Sequence, residues 1–113
     1  MIILDSALKT LEVVLAGAIT TTQLPFTTSY VDVNQTTFAA SAATEQDGTT
    51  NSTTAVTIVS APGATTSRQV KFISVYNVDT AAATVTIRLN NNGTTRIIFK
   101  ATLAVGDTLQ YAG

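Results

Sequence analysis

Apolar and polar residues alternate along most of this chain with a period of two. In residues 84–90, Val85, Ile87 and Leu89 point one way and Thr84, Thr86, Arg88 and Asn90 point the other. That is the pattern of a half-buried strand. Asn90-Asn91-Asn92-Gly93 then predicts a tight turn, because Asn and Gly accept positive φ. The chain resumes over 95–103 with Ile97, Phe99, Ala101 and Leu103 as its inner face. The two segments predict a β-hairpin.

Residues 68–78 are also strand-like, but apolar on both faces. Val70, Phe72, Tyr76 and Val78 occupy one face and Ile73 and Val75 the other. Such a strand is either central in a two-layer stack or covered by a partner chain. Residues 53–60 read as a strand ended by Pro62-Gly63, 108–111 as a last strand, and 30–34 as an earlier one. Residues 36–52 carry Thr, Ala, Ser, Asn and Gly with Glu45 and Asp47, and predict a long polar loop with at most a short edge strand at its start. At the N-terminus, Leu4, Leu8, Leu11 and Leu15 fit helical spacing, whereas Leu11, Val13 and Leu15 fit a strand face. The β-branched pair Val13-Val14 and the following Gly17 favour the strand. Residues 1–7 are expected to form an arm outside the sheet, with 1–9 available for assembly.

About seven short strands and no convincing helix predict an all-β chain, a single antiparallel β-sandwich or jelly roll spanning 1–113. Length agrees, since 113 residues make one domain. Charged residues are only 12% of the chain, and roughly a fifth of it is threonine. Low charge leaves sheet edges poorly blunted, which favours an assembled protein over a free monomer.

Composition removes several chemistries. With no Cys and no His, thiolate or imidazole metal sites, cysteine nucleophiles and a Ser-His-Asp triad are excluded. The net charge of −1 gives no bulk footprint for nucleic acid. No basic segment precedes the apolar start, so a secretory signal is not expected, and the apolar stretch 11–19 is about half the length of a membrane span.

Among the carboxylates no spacing selects a catalytic pair, and Asp79 and Asp107 read as turn residues. Asp47-Gly48-Thr49-Thr50-Asn51 faintly suggests a calcium loop but lacks the full ligand series and a closing Glu. No catalytic, cofactor or metal residue is assigned. Lys71, Arg88, Arg96 and Lys100 lie on strands, with Lys100 expected on the face of Arg96. They form either a solvated face or a basic strip for an acidic partner. Ile73, Val75 and Ile98 are either a second packing layer or a subunit interface. Tyr30, Tyr76 and Tyr111 read as core or rim rather than a sugar platform.

Residues 68–77, 84–90 and 103–111, and more weakly 11–18, resemble small β-sandwich structural proteins of tailed-bacteriophage virions. The resemblance covers roughly 53–112. It implies a virion component, made in the host cytoplasm, that is often trimeric and that cements or decorates a capsid. It implies no enzyme, and no cofactor, nucleic acid or membrane partner is expected. On this reading Ile73, Val75 and Ile98 are buried between subunits. Ile2, Ile3 and Leu4 of the arm, with Arg88, Arg96 and Lys100, contact the capsid, most directly its major protein. The alternatives are a neck, tail or head-fibre component, or a carbohydrate-binding module using the 36–52 loop with Tyr30 or Tyr111.

Overall fold

The computed structural model describes residues 1–113 and contains nine strands and no helix. They are β1 (Ile2–Leu4), β2 (Lys9–Leu15), β3 (Pro25–Asn34), β4 (Thr44–Thr49), β5 (Val56–Val59), β6 (Thr66–Tyr76), β7 (Ala83–Asn91), β8 (Thr94–Leu103) and β9 (Thr108–Ala112). One sheet has the order β1-β6-β3-β4, with β9 also on β6; the other has the order β5-β2-β7-β8. Every pairing is antiparallel. The sheets pack face to face as a β-sandwich around Leu11, Val13, Ile58, Val70, Ile73, Val75, Val85 and Ile87, all essentially inaccessible.

The expected hairpin is β7–β8. Asn92 and Gly93 at its tip have φ of 51° and 94°, the signature of a two-residue turn whose twist matches that of the strands it joins.

Three β-bulges decide which residues reach the core, because one extra residue shifts the alternation by a step. On β6, Ser29 pairs with Phe72 and Tyr30 with Val70, so Lys71 is the extra residue. Val70, Ile73 and Val75 therefore share the inner face, while Phe72 and Tyr76 turn outward. This resolves the strand that reads as apolar on both sides: Ile73 and Val75 lie in the core of their own chain, not on an outer face open to a partner. On β8, Ile87 pairs with Phe99 and Arg88 with Ile97, leaving Ile98 as the extra residue. Ile98 packs part-buried against the core, and Ile97, expected inside, is 63% exposed. The same shift puts Lys100 and Arg96 on opposite faces. On β5 the extra residue is Ile58, and both Ile58 and Val59 enter the core. The buried Thr28 hydroxyl donates to the Ile58 carbonyl at 2.7 Å, which ties the two sheets together at that bulge.

Two further expectations are corrected. The N-terminal segment is no free arm. Ile2, Ile3 and Leu4 pair with Val70, Gln69 and Arg68, Leu4 is fully buried and Ile2 packs on the core. Burying Leu4 and pairing the backbone outweigh the freedom of three residues. The second half of the 36–52 segment is not loop. Thr44–Thr49 forms β4, a sheet edge paired with β3 from Tyr30↔Thr44 to Pro25↔Thr49. Gly48 leaves room there for its neighbour, since a Cβ would meet the Phe26 ring at 3.0 Å.

Candidate interaction surfaces

Each end of the sandwich is closed by a buried polar hub. At the end where β6 begins, the Arg68 guanidinium donates from Nε to Asp32 Oδ1 at 2.8 Å and from Nη2 to Asp32 Oδ2 at 3.0 Å. Its Nη1 donates to the Ser60 carbonyl at 2.8 Å, and the group lies 3.9 Å from the Tyr30 ring centroid. This planar fork, bidentate to a carboxylate and stacked on an aromatic face, is an arrangement a lysine could not make. The hydrogen bond to Asp32 holds the guanidinium above its ordinary pKa.

At the opposite end, Asp79 joins two loops. Its carboxylate accepts from the backbone N–H of Thr20 (2.8 Å), Thr21 (2.8 Å) and Thr22 (3.2 Å) and from the Thr21 hydroxyl (3.0 Å). The Thr20 N–H leads the bonds that hold this carboxyl well below the usual range. Beside it, the fully buried Asn77 amide donates to the carbonyls of Ala81 and Leu103, both at 3.0 Å, and accepts from the Asp79 N–H at 3.0 Å. Asp107 serves its own turn, accepting from the Ala104 N–H at 3.2 Å. A cavity of about 280 Å³ opens here, lined by Leu15, Gly17, Ile19, Asp79, Ala83 and Thr84. A carboxylate so strongly depressed is a poor proton acceptor, so this wall is suited to holding loops together rather than to acid–base chemistry.

Around the first end, loops 5–8, 35–43 and 91–93 come together, linked by bonds from Gln35 Nε2 to the Asp5 carbonyl and from the Asn92 N–H to the Leu8 carbonyl. Phe38 projects from this end. It is 77% exposed and its backbone has φ of 60°, a region disfavoured for a bulky side chain. Asn34 builds the turn that presents it: Oδ1 accepts from the Thr36 and Thr37 N–H groups, and the carbonyl accepts from the Phe38 N–H. Leu8 is exposed at the same end.

The residues expected to make contacts fall into three groups. Ile73 and Val75 are core, and Ile98 is part-buried at a bulge. Leu4 and Ile2 are held inside the chain, while Ile3 stays half exposed. Arg88 is paired with Glu12 on the neighbouring strand, with Nε donating to Oε1 at 2.6 Å, so it is not a free cation for a partner. Arg96 and Lys100 are exposed on β8 and meet no carboxylate. Tyr30 lies beneath Arg68, and the Tyr111 ring packs against Phe99 at 5.6 Å between centroids. Tyr30 is buried and Tyr111 part-buried, and Asp47 sits in a paired strand rather than a cation-binding loop. Sequence reasoning does not single out Phe38, since nothing local distinguishes an exposed Phe in a loop from a buried one.

No protein-family model, no curated protein and no solved structure matches this chain. No helix is long and apolar enough to cross a membrane.

Proposed function

We propose that this protein is a non-enzymatic structural component of a tailed-phage virion, acting as a capsid cement or decoration protein through protein–protein contacts. The observation that carries this reading is Phe38: a large aromatic held out in solvent on a strained backbone, at an end rigidified by the Arg68–Asp32 pair. Aromatic anchors of this kind dominate the energetics of protein interfaces, and strained backbone concentrates at functional positions. The partner is the capsid, most directly its major protein, and each bound copy stabilises the shell by mass action. The resemblance of residues 53–112 to such virion proteins points the same way, and on this reading the protein acts as a homo-oligomer, favoured as a trimer.

Quantifying the protein against the major capsid protein in purified particles tests this. A simple fraction of one copy per capsid subunit is expected. A ratio of a few per cent would place the protein in the neck, tail or a head fibre instead, and absence from particles would overturn the virion reading. Phe38→Ser added to particles lacking the protein is expected to bind them weakly while keeping its fold.

A further inference from the structure

The charges of this chain sort by position in a way that names a partner for its open edges. Three of the six cations are used internally: Lys9 on Asp5 at 2.7 Å, Arg68 on Asp32 and Arg88 on Glu12. Of the remaining carboxylates, Asp79 and Asp107 accept from backbone N–H groups. That leaves Glu45 and Asp47 without a cation, both exposed and both on β4. They are two residues apart on one face of the strand, and Asp47 holds the Glu45 carboxyl above its ordinary pKa. Of the unpaired cations, Arg96 and Lys100 are exposed and both lie on β8, on opposite faces of the strand and so on either side of its free edge.

β4 and β8 are the terminal strands of different sheets, each hydrogen-bonded to one neighbour only. β4 stacks over β5 and β8 over β9, so they face opposite lateral sides of the sandwich. Their free edges are templates for another strand. Like charges directly opposite destabilise a strand pair and unlike charges favour it. Two β4 edges therefore repel, two β8 edges repel, and only the unlike combination is favourable.

We propose that these sides are the two halves of a head-to-tail self-contact, in which the acidic β4 edge of one copy seats against the basic β8 edge of the next. Lys100 lies between Glu45 and Asp47 of the neighbour, and Arg96 supplies charge toward the end of the strand. Ile97, exposed beside them, is covered by the contact. Such a contact joins two different patches, so it repeats and generates a ring or a filament rather than a two-fold dimer. The inference concerns the purified chain alone and does not rest on a place in a virion.

Sedimentation of the purified protein across concentration, at low and at high salt, tests it with three chains. The wild type is expected to associate and to lose association as salt rises. R96E/K100E and E45K/D47K each carry one sign of charge on both sides, and each is expected to associate at least about tenfold more weakly than wild type. Mixed together, the two variants are expected to recover association, since each acidic side again meets a basic one. That recovery also shows that both variants are folded. A monomeric wild type at low salt would overturn the proposal. So would oligomers that survive both reversals, which would assign the contact to another face, or a mixture that stays dissociated while circular dichroism shows both variants folded.

Discussion

The two ends of the sandwich solve one problem in opposite ways. Both bury a charged side chain near the core. At one end Arg68 meets the opposite charge of Asp32, and the pair is neutral as a unit. At the other, Asp79 meets no cation, and the dipoles of three backbone N–H groups and one hydroxyl stabilise it. The ion pair joins neighbouring strands at register position Asp32↔Arg68, so it reinforces a sheet that already exists. Asp79 reaches a loop 57 to 59 residues away in sequence, and is what gives that loop a fixed shape. The first end thus rests on a matched pair and carries a strained Phe38, whereas the second depends on one carboxylate staying ionised.

Between the two ends, the largest expected effect is at the ion pair. Arg68→Ala leaves Asp32 without its cation, and should lower unfolding free energy by about 3 kcal/mol. The lower end of the usual range applies because the Asp32 side chain keeps 27% of its surface in water. Chemical denaturation measures this, and the double variant Arg68→Met with Asp32→Leu should recover most of the loss. Asn77→Ala, at the other end, orphans two carbonyls and the Asp79 N–H and should cost about 1–3 kcal/mol. If it cost more than Arg68→Ala, the ordering of the two ends would be reversed.

Acid probes the second end directly. The Asp79 carboxyl titrates lower in the folded protein than in the unfolded chain, where its pKa is about 3.9. Below that value the unfolded state binds more protons, so the stability from Asp79 is present above it and is lost as pH falls toward the folded value. Thermal melts from pH 7 downward should show wild type losing stability below about pH 4, and Asp79→Asn should start lower and lose less over the same window. An unchanged slope in the variant would move the acid sensitivity elsewhere.

The smallest effect has the opposite sign. Phe38→Gly removes the left-handed strain from an exposed residue and should raise stability by up to about 1 kcal/mol. Read by thermal melting beside partner binding, it should give a more stable protein that binds its partner less well. Ile73→Asp offers a control outside both ends: with Ile73 in the core, it should unfold the single chain rather than merely separate subunits.

Much of the fold is legible in the sequence. The β7–β8 hairpin, the strand identity of β2, β5, β6 and β9, and the two-layer class all follow from period-two alternation and turn residues. β4 is hidden because Thr44–Thr49 has no apolar residue to show a period; its inner positions are Gln46 and Gly48, and Gly48 is set by the Phe26 ring. Of the candidate contact residues, the exposure of Arg96 and Lys100 is legible. The burial of Ile73, Val75 and Leu4 is not, and neither is the pairing of Arg88 with Glu12, 76 residues away.

What the sequence determined by itself is therefore local: which segments extend, where the chain turns, and which chemistries lack their atoms. Alternation and turn propensity act between neighbours, so neighbours suffice to read them. The tertiary structure decided the phase of β5, β6 and β8, because a bulge forms where two strands must both bury their apolar residues, and neither strand encodes that alone. It also decided which charges are consumed. Glu12 and Asp32 find their cations only when the sheets are built, and the charges left on β4 and β8 acquire meaning only once those strands lie at opposite sides of one sandwich.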